Sequence, residues 1–182
     1  MLARLGRGVL VLAGLVVALA LLRSWAERTW WEGGRQERGR RPEVVEGRAR
    51  IIDGDTIRLA GRALRLRGID APELGQTCQG AAGAPYRCGE QARLTLAELT
   101  EGRPLVCQIR GRDRYRRWLA RCKAGGEDVA ERLVREGLAL AYRERAYADA
   151  EAEAREGRRG LWAGTFQPPE AWRRERRERA RR

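Results

Sequence analysis

From Val44 onward the chain alternates short apolar runs with turn signals. Such punctuation excludes long helices and favours short strands and helices of a few turns. Residues 44–51 and 56–60 read as strand, turn and strand around Asp53-Gly54-Asp55. Residues 63–69, with Leu64, Leu66 and Gly68-Ile69, add a third strand before an acidic turn, giving a meander of antiparallel strands. Three helical stripes follow. Residues 89–101 align Ala92, Leu96 and Leu99 and stop at Gly102 and Pro104; residues 127–136 align Val129, Ala130, Leu133 and Val134 and stop at Gly137. Residues 147–159, rich in alanine and alternating charge, stop at Gly160. Between the first two helices, residues 104–109 and 117–122 form a hairpin around a polar loop at 113–116.

This element order predicts an α+β domain: a five-stranded oligonucleotide-binding (OB-fold) Greek-key barrel with three helices, preceded by an N-terminal hydrophobic helix. Residues 8–22 carry no charge and are flanked by Arg4, Arg7 and Arg23. Residues 1–23 therefore read as a signal anchor or a signal peptide, with a buried soluble helix as the remaining alternative. Either of the first two readings places the rest outside the cytoplasm, periplasmic or extracellular; an uncleaved anchor makes the membrane a partner, and cleavage would make the protein secreted. Residues 24–43 form a polar linker in which Trp25, Trp30 and Trp31 suit a membrane interface. The folded domain spans 44–166, and residues 167–182 form a basic tail that either stays solvated or grips phosphates or anionic lipid.

Lysine and arginine number 38 against 25 acids, a formal charge of +13, and only Lys123 among the basic residues is not arginine. That excess favours an anionic partner, although a biased coding composition also produces it. The chain has no histidine. Ser/His/Asp and Cys/His hydrolases and histidine-dependent zinc sites are thereby excluded, leaving carboxylate, Tyr, Cys, Lys or Arg as acid or base. Hairpin symmetry sets Cys107 opposite Cys122. A bridge there leaves Cys78 and Cys88 to close a ten-residue loop; the alternative is four reduced, buried thiols.

Asp53, Asp55, Asp70 and Glu73 stand at the ends of neighbouring strands in an otherwise basic chain. Converging carboxylates repel, and their natural counterion is a hard divalent cation, calcium better than magnesium. Arg65 and Arg117 can approach the same place with guanidinium forks suited to a phosphodiester. Cation, arginines and a spare carboxylate together match what phosphodiester hydrolysis requires.

At these residues the chain resembles the thermonuclease, or staphylococcal-nuclease-like, domain family. The resemblance covers about Val44 to Phe166 and rests on Ile52-Asp53-Gly54-Asp55-Thr56, on Arg65-Leu66-Arg67-Gly68-Ile69-Asp70-Ala71-Pro72-Glu73, on Asp113-Arg114-Tyr115-Arg116-Arg117 and on Gly160-Leu161-Trp162. It implies that Asp55, Asp70 and the backbone carbonyl of Ala71 ligate Ca2+, with Asp53 shaping the site. It implies Glu73 as general base or water-orienting residue, Arg65 and Arg117 as phosphate and transition-state ligands, and Tyr115 and Tyr142 as the nucleotide pocket. The implied activity is calcium-dependent endonucleolytic cleavage of DNA and RNA by a monomer, with little sequence preference and 3′-phosphate ends. The family commonly has glycine between the Tyr and Arg of the third motif and often a small residue after that Arg; here Arg116 and Trp118 stand there. Arg116 should strain or reshape a turn that favours positive φ. A noncatalytic nucleic-acid-binding OB-fold module anchored at the membrane is the alternative function, and an envelope structural protein using its tail on lipid is a third.

Overall fold

The computed structural model describes residues 42–143 and 145–182. The expected N-terminal helix of residues 1–23 and nearly all of the expected linker lie outside the described residues. Among the described residues no helix is long and apolar enough to cross a membrane.

Strands β1 (Glu43–Gly47), β2 (Arg50–Ile51), β3 (Thr56–Leu59), β4 (Arg62–Leu66) and β5 (Ile69–Asp70) come first. Two short strands, β6 (Cys78–Gln79) and β7 (Pro85–Tyr86), precede helix α1 (Cys88–Thr100). The hairpin is β8 (Leu105–Arg112) and β9 (Trp118–Ala124), and β10 (Glu127–Asp128) leads into α2 (Val129–Arg135). Strand β11 (Leu140–Ala141), a 3-10 turn at Arg145–Tyr147, α3 (Ala148–Glu156), a second 3-10 turn at Gly160–Ala163 and α4 (Pro169–Arg179) complete the domain.

The main sheet runs β1-β8-β9-β4-β3-β2, with β10 on β9. Its two ends, β1 and β2, belong to one segment with only Arg48 and Ala49 between them. A flat sheet could not place consecutive residues at opposite edges, so this one curls into a half-barrel around the core. The single strand expected over 44–51 is therefore two, and the segment changes partner from β8 to β3 as it rounds the corner. The sheet is also mixed rather than wholly antiparallel, because β4 lies parallel to β9. The curled α+β domain is consistent with an OB-fold-like core.

Leu64, Leu96, Leu105 and Leu133 are fully buried between sheet and helices. The three expected helices form, each trimmed at an end; α3 stops at Glu156 with Gly157 as its C-cap, ahead of the expected Gly160. Asp128 caps α2 by accepting from the Ala130 and Glu131 N–H groups, and the buried Tyr147 hydroxyl donates to its other oxygen at 3.0 Å. Burial raises the Asp128 carboxyl above its ordinary value, against these hydrogen bonds.

Cys107 stands directly opposite Cys122 in the β8–β9 register, and the two form a disulfide with a Cα–Cα distance of 4.1 Å. Cys78 and Cys88 form the second bridge, Cα–Cα 5.7 Å. The reduced alternative is thus set aside. The basic tail, read from sequence as either solvated or gripping phosphates or anionic lipid, contains α4, which begins with Pro169 in its first turn and folds back onto the domain.

Candidate active site

The Asp53-Gly54-Asp55 turn is shaped by its own acids and by the core beneath it. Asp53 accepts from the Asp55 N–H at 3.0 Å, and the Asp55 carbonyl accepts from the Leu66 N–H at 2.8 Å. A Cβ on Gly54 would lie 2.7 Å from that of Ala71 and 2.9 Å from that of Ala92, so only glycine allows the turn to seat. Asp55 is consequently 4% exposed.

The register of β3 on β4 sets Thr56 opposite Arg65, beside Asp55. Arg65 then spans two carboxylates, donating Nη1 to Asp55 Oδ1 at 2.6 Å and Nη2 to Asp70 Oδ1 at 2.8 Å. Asp70, 2% exposed, is held by the pairing of β5 with β11. The second Asp55 oxygen accepts from the Ala71 N–H at 3.3 Å. Burial pushes the Asp55 carboxyl up to about 7; Arg65 pulls it back, while Asp53 and Asp70 add to the rise.

Glu73 sits on the loop after β5, half-buried. Its N–H donates to Gln76 Oε1 at 3.3 Å and its carbonyl accepts from the Gln76 N–H at 2.7 Å. A Cβ on Gly89 would lie 1.8 Å from that same carbonyl oxygen, so the N-terminus of α1 presses directly on the Glu73 backbone. The Cys78–Cys88 bridge fastens the far end of this loop to the same helix.

Arg117 lies at the end of the hairpin turn. Asp113 accepts from the Tyr115 and Arg117 N–H groups, each at 2.9 Å, and from Arg117 Nε at 2.8 Å. Burial would raise the Asp113 carboxyl, but the hydrogen bonds and charge of Arg117 outweigh it and hold the group below the ordinary carboxylate value. Arg116 adopts φ 65°, the conformation the turn demands and glycine would take without strain. Trp118 is clamped from outside by Arg112, 3.6 Å above its ring centre, and more loosely by Arg62.

Arg65, Glu73, Tyr115, Arg117 and Tyr142 all open onto one cleft of about 850 Å³. Tyr115 is exposed at its mouth, under the Arg117 guanidinium; Tyr142 is held by its N–H donating to the Gly68 carbonyl at 2.8 Å. The arrangement therefore has an acidic floor, Asp55 and Asp70, beneath a rim of arginines and tyrosines.

Sequence reasoning missed two residues here. Arg173 of α4 donates to both oxygens of Asp70, at 3.0 and 2.9 Å, and to Glu73 Oε1 at 2.9 Å. Gln76, fully buried, ties the Glu73 loop to the tail by donating Nε2 to the Gln167 carbonyl at 2.6 Å. The signal for the first was Pro168-Pro169 followed by Trp172-Arg173, a helix start with an aromatic anchor.

Among the described residues no three acidic, cysteine or histidine side chains converge as a metal-holding group. The donor chemistry nevertheless suits a hard divalent cation, since Asp55 and Asp70 offer only oxygen and are buried side by side.

A curled sheet with acids at its strand ends and arginines on its rim defines a nuclease-like domain. The staphylococcal nuclease homologue family model matches residues 63–164, and the chain belongs to that family. It is 40% identical over 125 residues to the succinoglycan biosynthesis protein ExoI of Rhizobium meliloti (strain 1021), covering 66% of this chain and 65% of that one. It is 34% identical over 129 residues to the probable staphylococcal-like nuclease CAN1 of Oryza sativa subsp. japonica, covering 68% of this chain but 36% of the relative. An uncharacterized endonuclease of Haemophilus influenzae (strain ATCC 51907 / DSM 11121 / KW20 / Rd) is 29% identical over 136 residues, 69% of this chain and 71% of its own. The chain thus spans less than two thirds of the length of the first two of these relatives.

Proposed function

We propose that the protein is a calcium-dependent endonuclease that hydrolyses phosphodiester bonds of DNA and RNA with little sequence preference. The observation that carries this reading is the single cleft onto which Glu73, Arg65 and Arg117 open, above the buried pair Asp55 and Asp70. Arg65 and Arg117 would hold the non-bridging oxygens of the scissile phosphate and take up the charge that develops on attack. Glu73 accepts the proton of the attacking water as its oxygen bonds to phosphorus; the phosphorus to 5′-oxygen bond breaks, and the departing oxygen takes a proton from solvent, leaving a 3′-phosphate and a 5′-hydroxyl. Tyr115 and Tyr142 offer rings on which the flanking bases stack. Asp55, Asp70 and the Ala71 carbonyl would hold Ca2+, which supplies charge neutralisation between floor and phosphate.

The apolar segment at 8–22 with its flanking arginines supports attachment to the membrane with the domain outside the cytoplasm, or secretion after cleavage, and two disulfides suit an oxidising compartment. The domain acts as a monomer in this reading. Purified full-length chain should cleave single-stranded DNA, duplex DNA and RNA with calcium and not with a chelator. Glu73→Gln should lower turnover at least about tenfold with an unchanged circular dichroism spectrum. Unchanged turnover in that variant would remove Glu73 from the chemistry. Tight binding without cleavage would instead identify a noncatalytic nucleic-acid-binding module.

A further inference from the structure

Glu73 and Asp113, which line this cleft, and Asp55 and Asp70 behind it are each engaged by a guanidinium, Asp113 by Arg117. Arg65 takes one oxygen of Asp55 and one of Asp70, and Arg173 takes both oxygens of Asp70 and one of Glu73. Asp70 therefore accepts three charge-assisted hydrogen bonds, and neither of its oxygens is without a guanidinium donor.

The placement of Arg173 is built by the fold rather than by the ion pair alone. Gln79 and Thr165 exchange backbone hydrogen bonds at 2.9 and 3.1 Å, fixing the chain just before α4. Gln76 then grips the Gln167 carbonyl, and Pro169 starts the helix. One turn on, the Trp172 ring lies over Gly75 of the Glu73 loop, where a Cβ would be 3.9 Å from it, and Arg176 lies 4.9 Å above the ring. Arg173 follows directly, its side chain three-quarters buried.

Calcium takes carboxylate oxygens at about 2.3–2.6 Å. The guanidinium on both oxygens of Asp70 occupies that approach and repels a second positive charge. We infer that Arg173 is a further residue of the cation site: a tethered counter-ion that holds the seat on Asp70 and Glu73 and must leave it when the metal binds. This rests on the nuclease reading only for the position of the cation, and it assigns to α4 the role of setting how tightly that cation is held.

The test is titration of the full-length chain with calcium by calorimetry, without nucleic acid, for the unmutated protein, Arg173→Ala, Arg173→Gln and Arg179→Ala. Arg179 lies on the same helix, pairs with Glu175 and touches none of the three acids, so it controls for the loss of one positive charge. Both Arg173 variants should bind calcium at least about tenfold more tightly, with Arg179→Ala close to the unmutated protein. Thermal melts of each variant establish that the domain is folded. Equal affinity in all four proteins, or an equal gain in the Arg179 variant, overturns the inference while leaving the nuclease reading intact. Absence of calcium binding in every folded variant overturns the inference together with the calcium-dependent reading. Loss of cleavage in Glu73→Gln bears on the nuclease reading alone.

Discussion

The floor and the rim of the cleft are held in opposite ways. Asp55 and Asp70 are 4% and 2% exposed, seated on the core, and bridged by an arginine from the neighbouring strand. Arg117 stands on a hairpin turn whose shape depends on Asp113, with Tyr115 59% exposed beside it. The floor is thus determined by tertiary packing, and the hairpin side of the rim by hydrogen bonds within residues 113–117. Damage to the floor should therefore spread into the domain, whereas damage to the rim should stay local.

The largest effect is expected at Arg65. Arg65→Ala removes the shared partner of two buried carboxylates and should cost about 3 kcal/mol of stability in chemical denaturation, along with cleavage activity. A loss below about 1 kcal/mol would mean that the floor is no more integral than the rim. Next comes Asp113→Ala, which should cost about 1–2 kcal/mol and lower turnover about tenfold by releasing Arg117, with the core melting cooperatively as before. The sign of its pH dependence is fixed by the lowered Asp113 pKa. The carboxylate's contribution is present above the ordinary value of 3.8 and is lost as pH falls through the lower folded value. The stability gap between Asp113→Ala and the unmutated protein should therefore shrink below about pH 4 in parallel urea titrations. Smallest of all, Arg116→Gly should raise stability by about 0.5–1 kcal/mol by relieving the positive φ. A decrease in melting temperature would show that the Arg116 side chain supports the turn after all.

What could be read from sequence follows the same division. The Asp53-Gly54-Asp55 turn, the helical stripes and the Cys107–Cys122 register are local patterns, and local patterns carried them. The corner at Arg48 and Ala49 was hidden because an extended segment looks alike whether it keeps one partner strand or changes to another. The parallel pairing of β4 with β9 depends on how the sheet curls, which no short window encodes. Helix α4 was obscured by a run of arginines that masks its apolar anchor. Its contact with Asp70 joins residues 103 apart in the chain. Arg116 is the converse case: the sequence identified the position as one needing positive φ, and the chain adopts that φ with an arginine.

The separation between Asp70 and Arg173 also gives the contact a place in time. During synthesis Asp70 emerges long before its last partner, by roughly 5–20 s at elongation rates of about 5–20 residues per second. Arg65 precedes Asp70 and is there from the start; the Glu73 loop and the hairpin follow, and α4 comes last. Between the synthesis of β11, which holds Asp70, and that of Arg173, the nascent acidic floor has one guanidinium instead of two. Any chain released before residue 173 would keep it so, and completion of the last helix is the step that balances its charge.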